Sequence, residues 1–129
     1  MGRILNAVLA AAAAAAIATA QPALAADPVA GGKTFKAQCA LCHAITATAP
    51  PGIGPSLAGV VGRTSGTQSA FRPRYSSAMK GAAKTWTTAN LTLYLANPAK
   101  AVPGNKMPFA GLKDPVAADN VVAYLATLH

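Results

Sequence analysis

The sequence is poor in the residues from which most catalytic and metal sites are built. Its 129 residues include three acidic side chains, two cysteines and two histidines. A structural zinc site draws all its ligands from such side chains. Beyond Cys39, Cys42 and His43, the one further Cys or His is the C-terminal His129. The composition therefore disfavours a zinc site.

Strand patterns are also lacking. No segment shows the alternation of a β-strand, and there is no internal repeat. Four stretches instead carry helix signals: a capping residue, helical spacing of apolar side chains, or a stop. The sequence predicts an all-α domain with four helices. They run from Asp27-Pro28 into the cysteine motif, over Ser76 to Lys80, from Thr87 to Asn97-Pro98, and from Asp114-Pro115 onward. Loops over 46–55, 59–74 and 99–113 lie between the elements.

The first 25 residues have the composition of an export signal. Arg3 supplies a positive start, an apolar and alanine-rich stretch follows, and Ala23-Leu24-Ala25 fits the small-x-small cleavage pattern. The apolar run is shorter than the roughly 20 residues that a membrane-spanning helix needs. We predict cleavage after Ala25 or Ala26, which leaves one domain over 26–129.

The mature domain is strongly basic. Without Arg3 it holds ten basic residues against three acidic ones, a net charge near +7. Such a charge favours acidic partners or surfaces. Export argues against nucleic acid as that partner.

The most informative stretch is Cys39-Ala40-Leu41-Cys42-His43, a C-x-x-C-H motif. It has the form of a c-type haem attachment site, in which two thiols join the haem and the histidine can bind the iron. A thioredoxin-like dithiol would need a βαβ context that is lacking here. A disulfide is an open alternative, although it would leave the histidine without a role. The motif favours one covalently bound haem, held on about one turn of helix.

A second iron ligand would decide what the haem does. After signal cleavage the chain keeps two methionines, Met79 and Met107. Met79 lies in a short predicted helix, where a methionine is commonly core packing. Met107 lies in a Pro/Gly loop, where an apolar side chain has no periodic reason to be, so we favour Met107. His/Met ligation raises the reduction potential, and it fills the sixth position of the iron.

These features together resemble the class I cytochromes c, most closely the small bacterial periplasmic proteins and their mitochondrial relatives. The resemblance covers essentially the whole mature chain. It rests on Gly31, Phe35, Cys39 to His43, Gly54 to Leu57, Gly62-Arg63, Tyr75, Trp86, Tyr94-Leu95, Asn97-Pro98, Pro103-Gly104, Lys106-Met107, Phe109 to Gly111 and Tyr124-Leu125. It implies three main helices, with short helices and loops wrapped around one covalent haem c.

The resemblance also implies a role for each pocket residue. His43 and Met107 are the implied axial ligands, and the carbonyl of Pro55 orients His43. Arg63, Tyr75 and Trp86 are implied to hydrogen-bond a haem propionate, and the Tyr94 hydroxyl to approach the methionine sulfur. Phe109 is implied to cover the haem edge, and Met79 to pack in the pocket wall.

Two glycines interrupt the first predicted helix. Gly31 and Gly32 should each cost about 1 kcal/mol relative to alanine. From the pattern alone, a closely packed partner and a frayed first turn are both open. The resemblance favours close packing, because Gly31 and Phe35 match the face that crosses the last helix at Tyr124.

The expected function is that of a monomeric, soluble periplasmic one-electron carrier and not of an enzyme. The resemblance implies partners such as a membrane-bound bc-type complex, an oxidase, a reaction centre or a periplasmic dehydrogenase. A basic face with Lys33, Lys100 and Lys106 would dock them. Two alternatives stay open: a haem enzyme or gas sensor with a labile Met107, for which no distal acid–base residue is evident, and a dedicated dehydrogenase subunit.

Three features depart from the family pattern. Gln38 before the first cysteine and the alanines beside Lys100 make the docking face thinner in charge, which bears on partner identity and salt-steered association. Asn105 stands where a threonine or serine is common. The segment from Arg63 to Tyr75 is slightly expanded and adds two arginines.

Overall fold

The structure is a computed structural model that describes residues 13–20 and 24–129. In chain order its helices are α1 (Pro28–Gln38), a 3₁₀-helix (Ser69–Arg74), α2 (Ser77–Gly81), α3 (Thr88–Ala96), α4 (Pro98–Ala101) and α5 (Pro115–Leu125). Within those ranges the β-structure is limited to one isolated antiparallel bridge between Thr64 and Thr85. The all-α prediction is confirmed.

Short polar side chains fix where the longer helices begin. Asp27 accepts hydrogen bonds from two N–H groups of the first turn of α1 at 2.8 and 3.2 Å, and Pro28 takes the first helical position. Asp114 and Pro115 repeat this arrangement at α5. At α3 the hydroxyl of Thr87 accepts from a first-turn N–H at 3.1 Å. Each cap satisfies N–H groups that the helix itself leaves unpaired, and each confirms a predicted start.

α1 and α5 cross at close range. A Cβ at Gly31 would overlap the backbone carbonyl of Asn120, so this approach requires glycine. The rings of Phe35 and Tyr124 meet at 5.3 Å between centroids, and the Asp27 N–H donates to the Asn120 side chain at 2.7 Å. The predicted close packing at Gly31 is confirmed.

Buried side chains form a shell around a central cavity. α5 contributes four buried side chains, and α3 packs against α5. The shell consists of Phe35, Val60, Trp86, Leu91, Tyr94, Val102, Leu112, Ala118, Val121, Val122 and Leu125. Several of these side chains, among them Phe35 and Trp86, face the cavity directly. Side chains from several helices and loops thus frame the site.

α4 replaces part of the loop that the sequence predicts over 99–113. Asn97-Pro98 ends α3 as predicted, but the same pair begins α4. The Asn97 side chain accepts a hydrogen bond from the Lys100 N–H at 3.1 Å, and Pro98 takes the first helical position. The loop prediction was wrong over 99–101 because this cap-plus-proline signal also starts a helix.

The irregular segment predicted over 59–74 contains the 3₁₀-helix at its end. Its first turn is fixed by the Gln68 side chain, which accepts a hydrogen bond from the Phe71 N–H at 2.8 Å. A short 3₁₀-helix has no long apolar period for a sequence pattern to reveal. The prediction of irregular structure was therefore wrong over 69–74.

The predicted export signal, residues 1–25, falls largely outside the described residues. Its described parts, 13–20 and 24–25, are exposed and carry no regular structure. In the part of the chain that the structure describes, no helix has both the length and the apolar character to cross a membrane.

Candidate functional site

A cavity of about 440 Å³ lies at the centre of the domain, with a size typical of small-molecule and cofactor sites. Its walls are mainly apolar and carry a few polar groups. The structure brings all of the predicted site residues to this one cavity: Cys39, Cys42, His43, Pro55, Arg63, Tyr75, Met79, Trp86, Tyr94, Met107 and Phe109.

The cysteine motif follows directly on α1. The helix ends at Gln38, so tight turns replace the helical turn predicted through the motif. The N–H groups of Cys42 and His43 both donate to the Cys39 carbonyl at 3.0 Å. These turns still place both thiols and the imidazole along the cavity wall.

Cys39 and Cys42 carry free thiols, so the disulfide alternative is not what the structure shows. Burial, followed by the neighbouring Cys42, raises the pKa of the Cys39 thiol. The thiol is therefore protonated at neutral pH. Within residues 13–20 and 24–129, no group of three or more His, Cys, Asp or Glu side chains is arranged to hold a metal ion.

The imidazole of His43 is fixed by the carbonyl of Pro55, which lies 2.8 Å from Nδ1. Because a carbonyl only accepts, Nδ1 carries the proton and Nε2 keeps a lone pair. Burial lowers the pKa of His43 against the opposing effect of the Pro55 bond, and Arg63 lowers it further. The ring is therefore neutral, with one nitrogen in the form that binds a metal.

The proline-rich loop after the motif is built against this ring. A Cβ at Gly54 would overlap the imidazole of His43. The Gly54 N–H donates to the Cys42 carbonyl at 2.8 Å. This bond ties the loop to the motif and holds the Pro55 carbonyl beside Nδ1.

Met107 lines the cavity from the loop between α4 and α5. The Tyr94 hydroxyl lies 3.9 Å from its sulfur, within reach of a weak O–H···S hydrogen bond. Burial raises the pKa of Tyr94 to about 12, so the hydroxyl keeps the proton that it donates. The other methionine, Met79, lies half-buried in α2 and packs against the core.

A cluster of cationic and hydroxyl groups forms a polar part of the wall. Arg63 donates hydrogen bonds to two backbone carbonyls at 3.3 and 3.1 Å. Burial raises the pKa of Tyr75, against the opposing effect of the Arg63 charge. Arg74 also lines the cavity, with its guanidinium 4.8 Å from the centre of the Phe71 ring. The sequence analysis did not place Arg74 in the site. The expanded segment before Tyr75 is the feature that could have indicated its place there.

Aromatic rings complete the wall. Trp86 and Tyr94 pack at 5.0 Å between ring centroids. Phe109 lies half-buried beyond Met107, and its N–H donates to the Met107 carbonyl at 2.9 Å. Asn105, which departs from the family pattern, also lines the cavity. Its side chain accepts a hydrogen bond from the Met107 N–H at 2.9 Å, a contact that the sequence did not predict.

The residues present fit a covalently attached haem. The cavity offers two free thiols, a neutral imidazole with Nε2 available, a thioether and apolar walls. Thiols for attachment, with His and Met as ligands, are the donor set of a c-type haem. The arginines on the polar wall suit the carboxylates that such a group carries.

Comparison with known proteins agrees with this donor set. The family model described as Cytochrome c matches residues 28–129. The chain belongs to the cytochrome c family. Cytochrome c2 of Rhodomicrobium vannielii is 48% identical over 103 residues, which cover 80% of each chain. Cytochrome c of Chlamydomonas reinhardtii is 48% identical over 99 residues, 77% of this chain and 87% of that protein.

A solved structure supports the same assignment. Cytochrome cH from Methylobacterium extorquens matches with a TM-score of 0.72 and 42% identity, and the match covers 78% of this chain and 98% of the other. The class I cytochrome c fold is confirmed, as is one covalently bound haem c. This cytochrome c is an electron-transfer protein and not an enzyme.

Proposed function

We propose that this cytochrome c is a periplasmic one-electron carrier whose haem is attached through the two cysteines of the motif and ligated by His43 and Met107. The observation that carries the proposal is a pair of tethered donor side chains in one cavity. His43 is bonded to the Pro55 carbonyl at 2.8 Å, and the sulfur of Met107 lies 3.9 Å from the Tyr94 hydroxyl. When bound, the haem supplies the reversible uptake of one electron.

The two tethers act differently on the two ligands. The Pro55 carbonyl fixes the tautomer and orientation of the His43 ring and makes Nε2 a better donor. The Tyr94 hydroxyl donates toward the Met107 sulfur and withdraws electron density from it. Thioether ligation favours the reduced iron and raises the potential. With His43 and Met107 both bound to it, the iron would have no open position for a substrate or gas.

We assign the haem propionates to the polar wall at Arg63, Tyr75 and Trp86. Arg63 uses part of its donor set on two backbone carbonyls and keeps further N–H groups free. Those two bonds hold the guanidinium in place before any carboxylate arrives. Phe109 covers the haem edge in this proposal, and Met79 packs against the pocket wall.

The sequence and the family support the cellular part of the proposal. Residues 1–25 are removed on export, and residues 26–129 form the mature monohaem domain. Respiratory or photosynthetic complexes of the membrane, or a periplasmic dehydrogenase, exchange electrons with it. Exposed Lys33, Lys100 and Lys106 supply the basic docking face, and Lys106 also lines the cavity.

The test is the visible and near-infrared spectrum of the ferric holoprotein, compared with Met107→Ala and with Met79→Ala as the matched control. We expect a sulfur-to-iron charge-transfer band in the parent and in Met79→Ala, and its loss in Met107→Ala. The reduced parent should resist carbon monoxide, which the reduced Met107→Ala protein should bind rapidly. A parent without the band that binds carbon monoxide rapidly would have an open site, and the carrier proposal would then fail in favour of a gas sensor.

A further inference from the structure

We propose that Asn105 is a positioning residue for Met107, and that its side-chain amide keeps the methionine in place against competing ligands. The inference rests on the proposed ligation by Met107. It concerns the position at which this chain has asparagine where the family commonly has threonine or serine.

The amide of Asn105 joins three separate parts of the fold. Its nitrogen donates to the carbonyls of Pro98 and Val102 at 3.0 and 2.9 Å. Its oxygen accepts from the Met107 N–H at 2.9 Å. The Tyr94 hydroxyl lies 3.5 Å from this oxygen and 3.9 Å from the Met107 sulfur, and it has one proton to donate between them. Since the two carbonyls only accept and the Met107 N–H only donates, the orientation of the amide is fixed by its partners.

This arrangement uses both donors and the acceptor of an asparagine amide. Its two N–H groups each have a carbonyl partner, and its oxygen accepts from the Met107 N–H with the Tyr94 hydroxyl at 3.5 Å. A threonine has a single O–H donor, so it cannot serve both carbonyls at once. An aspartate has no donor when ionised. The four-way junction is therefore specific to the amide.

The junction is one of two attachment points of the methionine loop. On its N-terminal side, a turn over 102–105 ends in the Asn105 N–H, which donates to the Val102 carbonyl at 3.1 Å. On its C-terminal side, the Leu112 N–H donates to the Leu95 carbonyl at 2.7 Å, and a Cβ at Gly111 would overlap the Ala96 carbonyl. Residues 106–110 span these two points as an arch, and both ends of the arch rest on the α3–α4 segment.

Asn105 acts on Met107 more directly than the far end of the arch does. Its oxygen accepts from the backbone N–H of Met107 itself, and the same oxygen lies 3.5 Å from the hydroxyl that approaches the sulfur. Moving the thioether away with its backbone requires that the Met107 N–H leave the amide. The junction therefore lowers the population of protein in which Met107 is displaced.

The population of displaced Met107 can be measured with an exogenous ligand. Imidazole can bind the ferric holoprotein only where the methionine has left, so its apparent affinity scales with the fraction in that state. Three variants are compared with the parent: Asn105→Ala, Asn105→Thr and Asn90→Ala. Asn90 is the matched control, because its exposed amide donates to the Thr85 carbonyl at 2.8 Å and makes none of the contacts to the arch.

We expect Asn105→Ala to bind imidazole roughly tenfold more tightly than the parent, since it loses the bond to Met107 together with the bonds that anchor it. The imidazole affinity of Asn105→Thr should lie between those of Asn105→Ala and the parent. The affinity of Asn90→Ala should match that of the parent within about twofold. Thermal unfolding is recorded alongside, so that a general loss of stability is seen separately.

An imidazole affinity of Asn105→Ala within about twofold of the parent would overturn the inference, whatever its melting temperature. If Asn105→Ala does not mature with haem, Asn105→Thr decides the matter by the same criterion. If the parent shows the sulfur-to-iron band and the Asn105 variants bind imidazole like the parent, only the role of Asn105 is refuted. If the parent lacks the band, the proposed ligation by Met107 is refuted as well.

Discussion

Gly54 tests the construction of the histidine side of the site most directly. In Gly54→Ala, the added Cβ would occupy the space of the His43 imidazole. The ring could swing away only by breaking its 2.8 Å bond to Pro55. The loop could retreat only by breaking the 2.8 Å bond from the Gly54 N–H to the Cys42 carbonyl. Neither response avoids the loss of a hydrogen bond.

The magnitude follows from these two constraints. Overpacking of a fixed site costs about 1–3 kcal/mol, and a lost hydrogen bond alone costs about 1 kcal/mol. For a domain of this size, each kcal/mol lowers the melting temperature by about 4–8 °C. Together these costs are about 2–4 kcal/mol, so we expect Gly54→Ala to melt roughly 8–30 °C below the parent.

The measurement is thermal unfolding of the holoproteins followed by circular dichroism, with Gly81→Ala as the control. Gly81 is the last residue of α2, and a Cβ there would meet nothing within 4 Å. Alanine at such a site is neutral or stabilises by about 0.4–1 kcal/mol, because it restricts the unfolded chain. A Gly54→Ala protein that melts with the parent would refute the contact between this loop and the His43 ring.

Two further substitutions test the helix crossing and the methionine tether. Gly31→Ala places a Cβ on the Asn120 carbonyl and should lower the melting temperature. The effect should exceed that of Gly32→Ala, whose Cβ meets only the Tyr124 ring at 3.2 Å. Equal melting temperatures for the two variants would contradict the close crossing of α1 and α5. Tyr94→Phe removes the hydroxyl near the Met107 sulfur and should lower the reduction potential by about 20–60 mV, the equivalent of one hydrogen bond for a one-electron couple. Protein-film voltammetry measures this shift, with Tyr124→Phe as a control at the parent potential, and an unchanged potential in Tyr94→Phe would show that the hydroxyl does not act on the sulfur.

The parts of the site that could be predicted from the sequence are local ones. The cysteine motif is readable because Cys39, Cys42 and His43 are neighbours in the chain, and Asp27 and Asp114 are readable because a cap and the N–H groups it serves lie within one turn. The wrong loop prediction after Asn97 is also a local matter. The pair Asn97-Pro98 ends α3 and also begins α4, but the prediction used it only as the end of a helix.

The parts that could not be predicted depend on contacts between distant segments. The Asn105 side chain joins the two ends of α4 to the backbone of Met107, and it lies near a hydroxyl on α3. Nothing in the spacing around Asn105 indicates which carbonyls will face its amide. The overlap that requires glycine at Gly54 likewise becomes visible only when the loop is seen against the His43 ring. The motif indicated His43, the loop position favoured Met107, and the family resemblance implied the same pair. None of these could reveal a junction built on a residue that departs from the family.

The two ligand loops share a principle of construction that bears on electron transfer. Each is tied by backbone hydrogen bonds to the secondary structure beside it: Gly54 to the turn of the cysteine motif, and Leu112 to the end of α3. Each also has one polar contact that acts on the donor side chain itself, from Pro55 to the imidazole and from Tyr94 to the thioether. Both contacts are to uncharged groups on fixed elements, so they need not rearrange when the charge of the site changes by one. We expect such a site to keep the same arrangement in both oxidation states, which suits a carrier that must gain and lose an electron without moving the proposed ligands.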